Sequence, residues 1–195
     1  MSKPTAIVYI DGLNLQRRLV ERAPDVTWVD YVELSKILLP QFDIQMVRVF
    51  TSISASADPV YAKAFWKKLT DKHGNLEIYL GRISTVTRIY PVHPRAGEDS
   101  SKSATIKVRK LEEKGSDVAL GSYMVFDAFT KTADLFALMS SDTDFEPTLK
   151  LLRDQLNLSI GVLCTTENLP KLFTRLEPNV VRYVRQSHIL NSRLT

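Results

Sequence analysis

Five short runs, apolar almost throughout and rich in branched residues, alternate with stretches of helical length. They are "TAIVYI" (5–10), "IQMVRVFTSI" (44–53), "LEIYLGRI" (76–83), "DLFALMS" (134–140) and "LSIGVLC" (158–164). Strands buried on both faces read as near-continuous apolar runs, and strands that alternate with helices build parallel sheets covered by those helices. The pattern predicts an α/β sandwich. Helices are expected over 13–22, 30–39, 58–72, 117–131, 145–157 and 168–176, with a last strand in "VVRYV" (180–184). Asp30 is placed to cap the second helix, Pro40 follows its end, and His73-Gly74-Asn75 closes the third. With 195 residues, 44% apolar and 25% charged, the chain is large enough for a substantial core and is read as one domain over 1–195. The segment 84–106 breaks the pattern with Pro91, Pro94, Gly97 and "GEDSSKS". It is expected to be a flexible loop preceded by a hairpin strand from "TVTRIY", a basic loop or hairpin insertion at about 84–112.

A net charge of +4 permits an anionic partner without demanding one. The lone cysteine, Cys164, allows no internal disulfide and reads as a buried small hydrophobe. This fits a reducing cytoplasm. "MSKPTAIVYIDG" is too short in apolar residues for a signal peptide, and no run approaches the roughly 20 residues that span a bilayer. A soluble cytoplasmic protein with no membrane partner is expected. A homo-oligomer is compatible with the sequence, which fixes no oligomeric state.

In parallel α/β sheets ligands sit beyond the carboxyl ends of the strands, where strand order reverses. Three segments carry acids at strand ends or helix starts: "IDGLN" (10–14), "KGSDVAL" (114–120) and "SSDTDF" (140–145). Each has an ordinary structural explanation. Asp-Gly after a strand is a common turn, Asp117 or Ser116 can be an N-cap, and Thr143 with Glu146 has capping-box spacing before Pro147. Asp142 fits such explanations least well. If Asp11, Asp117, Asp142 and Asp144 met, their repulsion would raise pKa values unless a cation neutralised them. Mg²⁺ and Mn²⁺, hard ions that take oxygen ligands, are the physically sensible occupants. His73, His93 and His188 show no metal-ligand spacing.

Taken together, "YIDGLNL", "KGSDVALGSYMVFDAF" and "LMSSDTDFEPTLKLLRDQLNLSIGVL" resemble, in order, the three signature segments of the NYN domain family, in the PIN-like nuclease group. The resemblance covers roughly residues 5–165. It implies a Rossmann-like three-layer α/β/α sandwich with a central, mostly parallel sheet. It also implies an aspartate cluster that binds Mg²⁺ or Mn²⁺, and metal-dependent cleavage of RNA. Asp11 and Asn14 match the first motif, Asp117 the "KGVD"-like motif, and Asp142 and Asp144 the "SGDSDF"-like pair. The sequence departs from the pattern at Tyr123, where family members often carry another aspartate, and at Ser141, where the third motif has glycine. Asp127, one helical turn beyond Tyr123, offers a partial substitute.

On this resemblance Asp11 and Asp142 are expected as direct metal ligands. Asp117 and Asp144 would complete the shell, bind a second ion or hold water. Asn14 would orient a carboxylate or touch the phosphate. From Ile78 to Gly97 the chain has no acid but carries Arg82, Arg88, His93 and Arg95, with Tyr79 and Tyr90 between them; Lys102, Lys107, Arg109, Lys110 and Lys114 follow. These cations suit phosphates and the tyrosines suit bases, though a solvated loop explains them equally well. Of this set, Arg82, Arg88, Lys107, Arg109 and Lys114 are the candidate RNA contacts. Arg182, Arg185 and Arg193 in the acid-free tail either extend that groove or decorate an edge strand. Trp66 is expected in the core. The competing expectations are a degenerate RNA-binding or protein-interaction module on the same fold, and a phosphatase-type hydrolase with an aspartate nucleophile. The latter wants Asp-x-Asp after the first strand, where "DGLN" stands.

Overall fold

β1 (Thr5–Asp11) is buried along nearly its whole length, and its side chains alternate between two cores. Ala6, Val8 and Ile10 point into one, Ile7 and Tyr9 into the other. This period of two, with both faces covered, is what the apolar runs foretold. The computed structural model describes residues 2–26, 28–53, 59–92, 105–130 and 132–194. β1 is followed by α1 (Gly12–Arg22), α2 (Tyr31–Leu38), β2 (Asp43–Thr51), α3 (Pro59–Lys72) and β3 (Leu76–Leu80). A hairpin of β4 (Arg82–Pro91) and β5 (Thr105–Lys114) leads to α4 (Ser116–Thr130) and β6 (Leu135–Met139). A 3-10 turn (Thr143–Phe145), α5 (Glu146–Lys150), β7 (Ile160–Cys164), α6 (Lys171–Thr174), β8 (Val180–Tyr183) and α7 (Gln186–Asn191) complete the order.

Six strands form one sheet in the order β3-β2-β1-β6-β7-β8, and every adjacent pair is parallel. α1, α2, α3 and α7 contribute to the core on one face; α4, α5 and α6 contribute to the other. The architecture is therefore a three-layer α/β/α sandwich of PIN-like type. Strand order reverses between β1 and β6, which pair from Ala6–Leu135 to Ile10–Met139. Asp11 and the residues after Met139 thus leave neighbouring strands side by side.

Local chemistry explains most element ends. Asp30 accepts hydrogen bonds from the amides of Val32 (3.1 Å) and Glu33 (3.2 Å), the N-cap expected of it. Gly12 opens α1 hard against β2: a Cβ there would lie 2.5 Å from the Thr51 Cβ. Trp66 is buried at 7% exposure and Cys164 completely, as expected.

Three expectations need correction. The segment 84–106 is not wholly irregular: β4 and β5 pair in register from Arg82–Lys114 to Pro91–Thr105. The hairpin is a separate two-stranded sheet, so neither face carries the apolar alternation that would have disclosed it. His93, Pro94, Arg95, Gly97 and Lys102 lie outside the described residues. The helix expected over 145–157 is α5 continued by a π-helical turn (Leu151–Gln155), and α7 follows the tail strand. Among the described residues, no helix is long and apolar enough to cross a membrane.

Candidate active site

Asp11 sits at the last position of β1 and caps α1. One carboxylate oxygen accepts from the Asn14 amide (3.0 Å), the other from the Ser140 hydroxyl (2.9 Å). Ser140, fully buried just past β6, also accepts from the Asp142 amide (3.0 Å). A single hydroxyl thus ties the two strand ends together. Asp142 in turn caps the 3-10 turn by accepting from the Asp144 amide at 3.0 Å. Asp11 takes the turn role expected after a strand, but Asp142, the acid that fitted such roles least well, is itself a cap, whereas α5 has no side-chain cap from the expected Thr143–Glu146 box and Asp144 is exposed.

Asp117 stands in the first turn of α4, where negative charge is favoured by the helix dipole. Its carboxyl is nevertheless pushed up to about 6, first by partial burial and then by the charges of Asp11, Glu113, Asp142 and Asp144. Asp11 is likewise raised, by burial above all; its hydrogen bonds from Asn14 and Ser140 pull the other way, and Asp142 adds to the rise. The four expected aspartates therefore share one electrostatic site. Among the described residues none of them forms an ion pair with a lysine, arginine or histidine.

Asn14 is a brace. Its side-chain oxygen accepts from the Ser141 amide (3.3 Å) and from the Thr165 hydroxyl, linking α1 to the ends of β6 and β7. Ser141, in the glycine position of the third motif, gathers the amides of Thr165 (2.9 Å) and Thr166 (3.0 Å) on its hydroxyl. Ser140, Glu113 and Thr165 were not singled out from the sequence. Thr165 had a readable signal, a polar residue directly after an apolar strand. Glu113 accepts from the Ser116 hydroxyl (2.5 Å) and amide (3.2 Å) and so fixes the start of α4.

Asp127 does not substitute for the missing aspartate. It is wholly buried and binds Arg48 through both oxygens, at 2.7 and 3.1 Å, while Tyr9 donates to it at 2.9 Å. Tyr123 packs its ring 4.4 Å from that of Tyr79, with the Arg48 guanidinium 5.0 Å from its centroid.

Among the described residues, no three acidic, histidine or cysteine side chains converge into a ready-made cage. Mg²⁺ rarely uses such a cage: it keeps several waters and takes one or two carboxylates. Oxygen donors at neighbouring strand ends, with Asp11 and Asp117 raised in part by the other acids, fit that mode.

The five candidate RNA contacts lie on the hairpin, all exposed. Arg82 and Lys114 face each other at its base. Arg88 pairs with Glu112 through two bonds, at 3.0 and 3.2 Å, so its charge is already met. Arg82, Lys107, Arg109 and Lys114 form no ion pair among the described residues.

Comparisons with known proteins fit this geometry. The chain is 26% identical over 186 residues to 6-hydroxy-3-succinoylpyridine 3-monooxygenase HspA of Pseudomonas putida; 82% of this chain is covered, but only 59% of that relative's length. A crystal structure of a protein of unknown function from Vibrio parahaemolyticus superposes with a TM-score of 0.58 at 15% identity, covering 93% of each chain, and shares the fold. A family model for the NYN domain matches residues 5–181. The chain belongs to the NYN domain family, a PIN-like nuclease family whose members are generally RNA-related and dependent on divalent metal.

Proposed function

We propose that the protein is a metal-dependent ribonuclease that hydrolyses RNA phosphodiester bonds in the crevice between β1 and β6. The observation that carries this reading is the meeting of acids at the strand ends: Ser140 ties Asp11 to the Asp142 backbone, and Asp117, exposed at the start of α4, feels the charges of Asp11, Glu113, Asp142 and Asp144. Ionising such a group of acids costs free energy that an entering positive charge would offset. Asp11 and Asp142 would hold Mg²⁺ or Mn²⁺ directly, with Asp117 and Asp144 completing the shell. When bound, such an ion would neutralise charge at the phosphate and lower the pKa of a coordinated water.

The chain's own residues supply position. Ser140 fixes the spacing of Asp11 and Asp142, and Asn14 locks α1 to the loops after β6 and β7. Arg82, Lys107, Arg109 and Lys114, joined by Arg88 if Glu112 releases it, would pair with phosphates along the hairpin. In-line attack by water, forming one P–O bond as the bond to the 3′ oxygen breaks, leaves a 5′-phosphate and a 3′-hydroxyl.

Labelled single-stranded RNA incubated with Mn²⁺, Mg²⁺ or EDTA tests the reading, with Asp142→Asn beside the wild type. Cleavage that needs metal and disappears in the variant is expected. A second reading, a catalytically degenerate RNA-binding or protein-interaction module, is favoured by Tyr123 in place of an acid and by the capture of Asp127 by Arg48. RNA binding without cleavage in any metal would establish it.

A further inference from the structure

We propose that a second site, on the α1–α3 side of the sheet, binds a planar aromatic ring carrying an anionic group. That chemistry is shared by nucleoside monophosphates and aromatic carboxylates. A cleft of about 560 Å³ lies between the loop entering α2, the outer surface of α3 and the residues after α7. Its volume falls in the roughly 300–1,000 Å³ range of small-molecule sites.

The cleft has an aromatic wall. Trp28 and Phe65 stack at 4.4 Å, and Tyr61 beside them is 65% exposed. A flat ring gains from such a surface by stacking, whatever its identity. The Trp28 indole N–H, buried within this wall, has no hydrogen-bond partner. Lys68 and Arg193 also line the cleft, both exposed and neither ion-paired among the described residues. Asp25 is the acid among its described lining residues. Two cations against one acid, beside an aromatic wall, select a ring with a negative substituent, held by charge-assisted hydrogen bonds.

A smaller cavity of about 30 Å³ behind Trp28, lined in part by Ser52 with its unpartnered hydroxyl, has room for water but not for a ring. The ligand therefore belongs to the larger cleft. That cleft shares no residue with the acidic crevice, so it stands or falls separately from the nuclease reading.

Of the chain's two tryptophans, Trp28 lines the cleft and Trp66 lies behind it, ring centroids 6.3 Å apart, so intrinsic fluorescence reports occupancy. The probes are AMP, UMP, nicotinate, adenosine and inorganic phosphate, all titrated in EDTA, with calorimetry as a second readout. Saturable binding of the monophosphates or of nicotinate is expected, with adenosine and phosphate alone at least about tenfold weaker. Lys68→Ala with Arg193→Ala should weaken binding about tenfold without changing the thermal melt. Asp25→Asn should tighten it, and Asp142→Asn should leave it unchanged. Binding of the nucleotides only assigns the site to nucleotides; binding of nicotinate only assigns it to aromatic carboxylates. No saturable binding of either class overturns the proposal, as does phosphate or adenosine binding as well as AMP, or a double variant that binds like wild type.

Discussion

Asp117 and Asp127 lie ten residues apart on α4, and their surroundings are opposite. Asp127 has its cation built in: Arg48, itself 4% exposed, grips it through two hydrogen bonds while also donating to Glu77 and Tyr79. The charges that act most on Asp117 are those of Asp11, Glu113, Asp142 and Asp144. The two carboxylates differ in burial as well as in partners: Asp127 is wholly buried, while Asp117 is exposed at the start of the helix among like charges. The first clamps α4 to β2. On the proposed reading, the second, with Asp11 and Asp142, would receive its cation from outside the chain.

The sharpest way to break the comparison is to remove the built-in cation. Arg48→Ala strands a buried carboxylate and should cost about 3–5 kcal/mol in chemical denaturation. Pairing Arg48→Met with Asp127→Leu should recover much of that loss, because neither charge is then left unpaired. A double variant no better than Arg48→Ala would show that the ion pair is not what holds the helix.

Supplying the missing cation should have the next largest effect. Mn²⁺ at about 100 times its dissociation constant should stabilise wild type by about 2.7 kcal/mol, seen as a higher melting temperature. Asp142→Asn should lose most of that gain. Equal shifts in both proteins would place the metal elsewhere.

Much of this was legible beforehand. The strand runs, the Asp30 cap and the acids at strand ends follow from local chemistry, and placing Asp11 beside Asp142 needed only the strand order. The fate of Asp127 was not legible. Its partner stands 79 residues earlier, as a single arginine inside a strand run, and only the pairing of β2 beneath α4 brings them together. Ser140 hid for a similar reason: a serine beside a serine gives no sign of which hydroxyl faces inward. The hairpin was anticipated from "TVTRIY", but its second strand and full extent were not, because a ribbon with both faces largely in solvent needs no continuous apolar pattern.

A smaller effect sharpens the contrast on α4. Asp117 has a raised pKa in the fold, so its ionisation costs stability. The cost is absent below the ordinary value of 3.8 and grows as pH rises through about 6. Asp117→Asn should therefore stabilise the metal-free protein at pH 7 by about 1 kcal/mol, solvent screening keeping the gain below the full shift. The gain should vanish below about pH 4. A gain that persists at low pH would mean that packing, not charge, is responsible. Smallest of all, Lys107→Ala with Arg109→Ala should lower the slope of log affinity for single-stranded RNA against log salt by about 1.4, two phosphate contacts' worth. An unchanged slope would take the hairpin out of RNA binding.

The most direct test is calorimetric titration of Mn²⁺ into metal-free wild type and Asp142→Asn. A binding isotherm in wild type that disappears in the variant, with the fold intact by circular dichroism, is the predicted result. The same isotherm in both proteins, or none in wild type, would contradict the claim that these strand-end acids are held for a divalent cation.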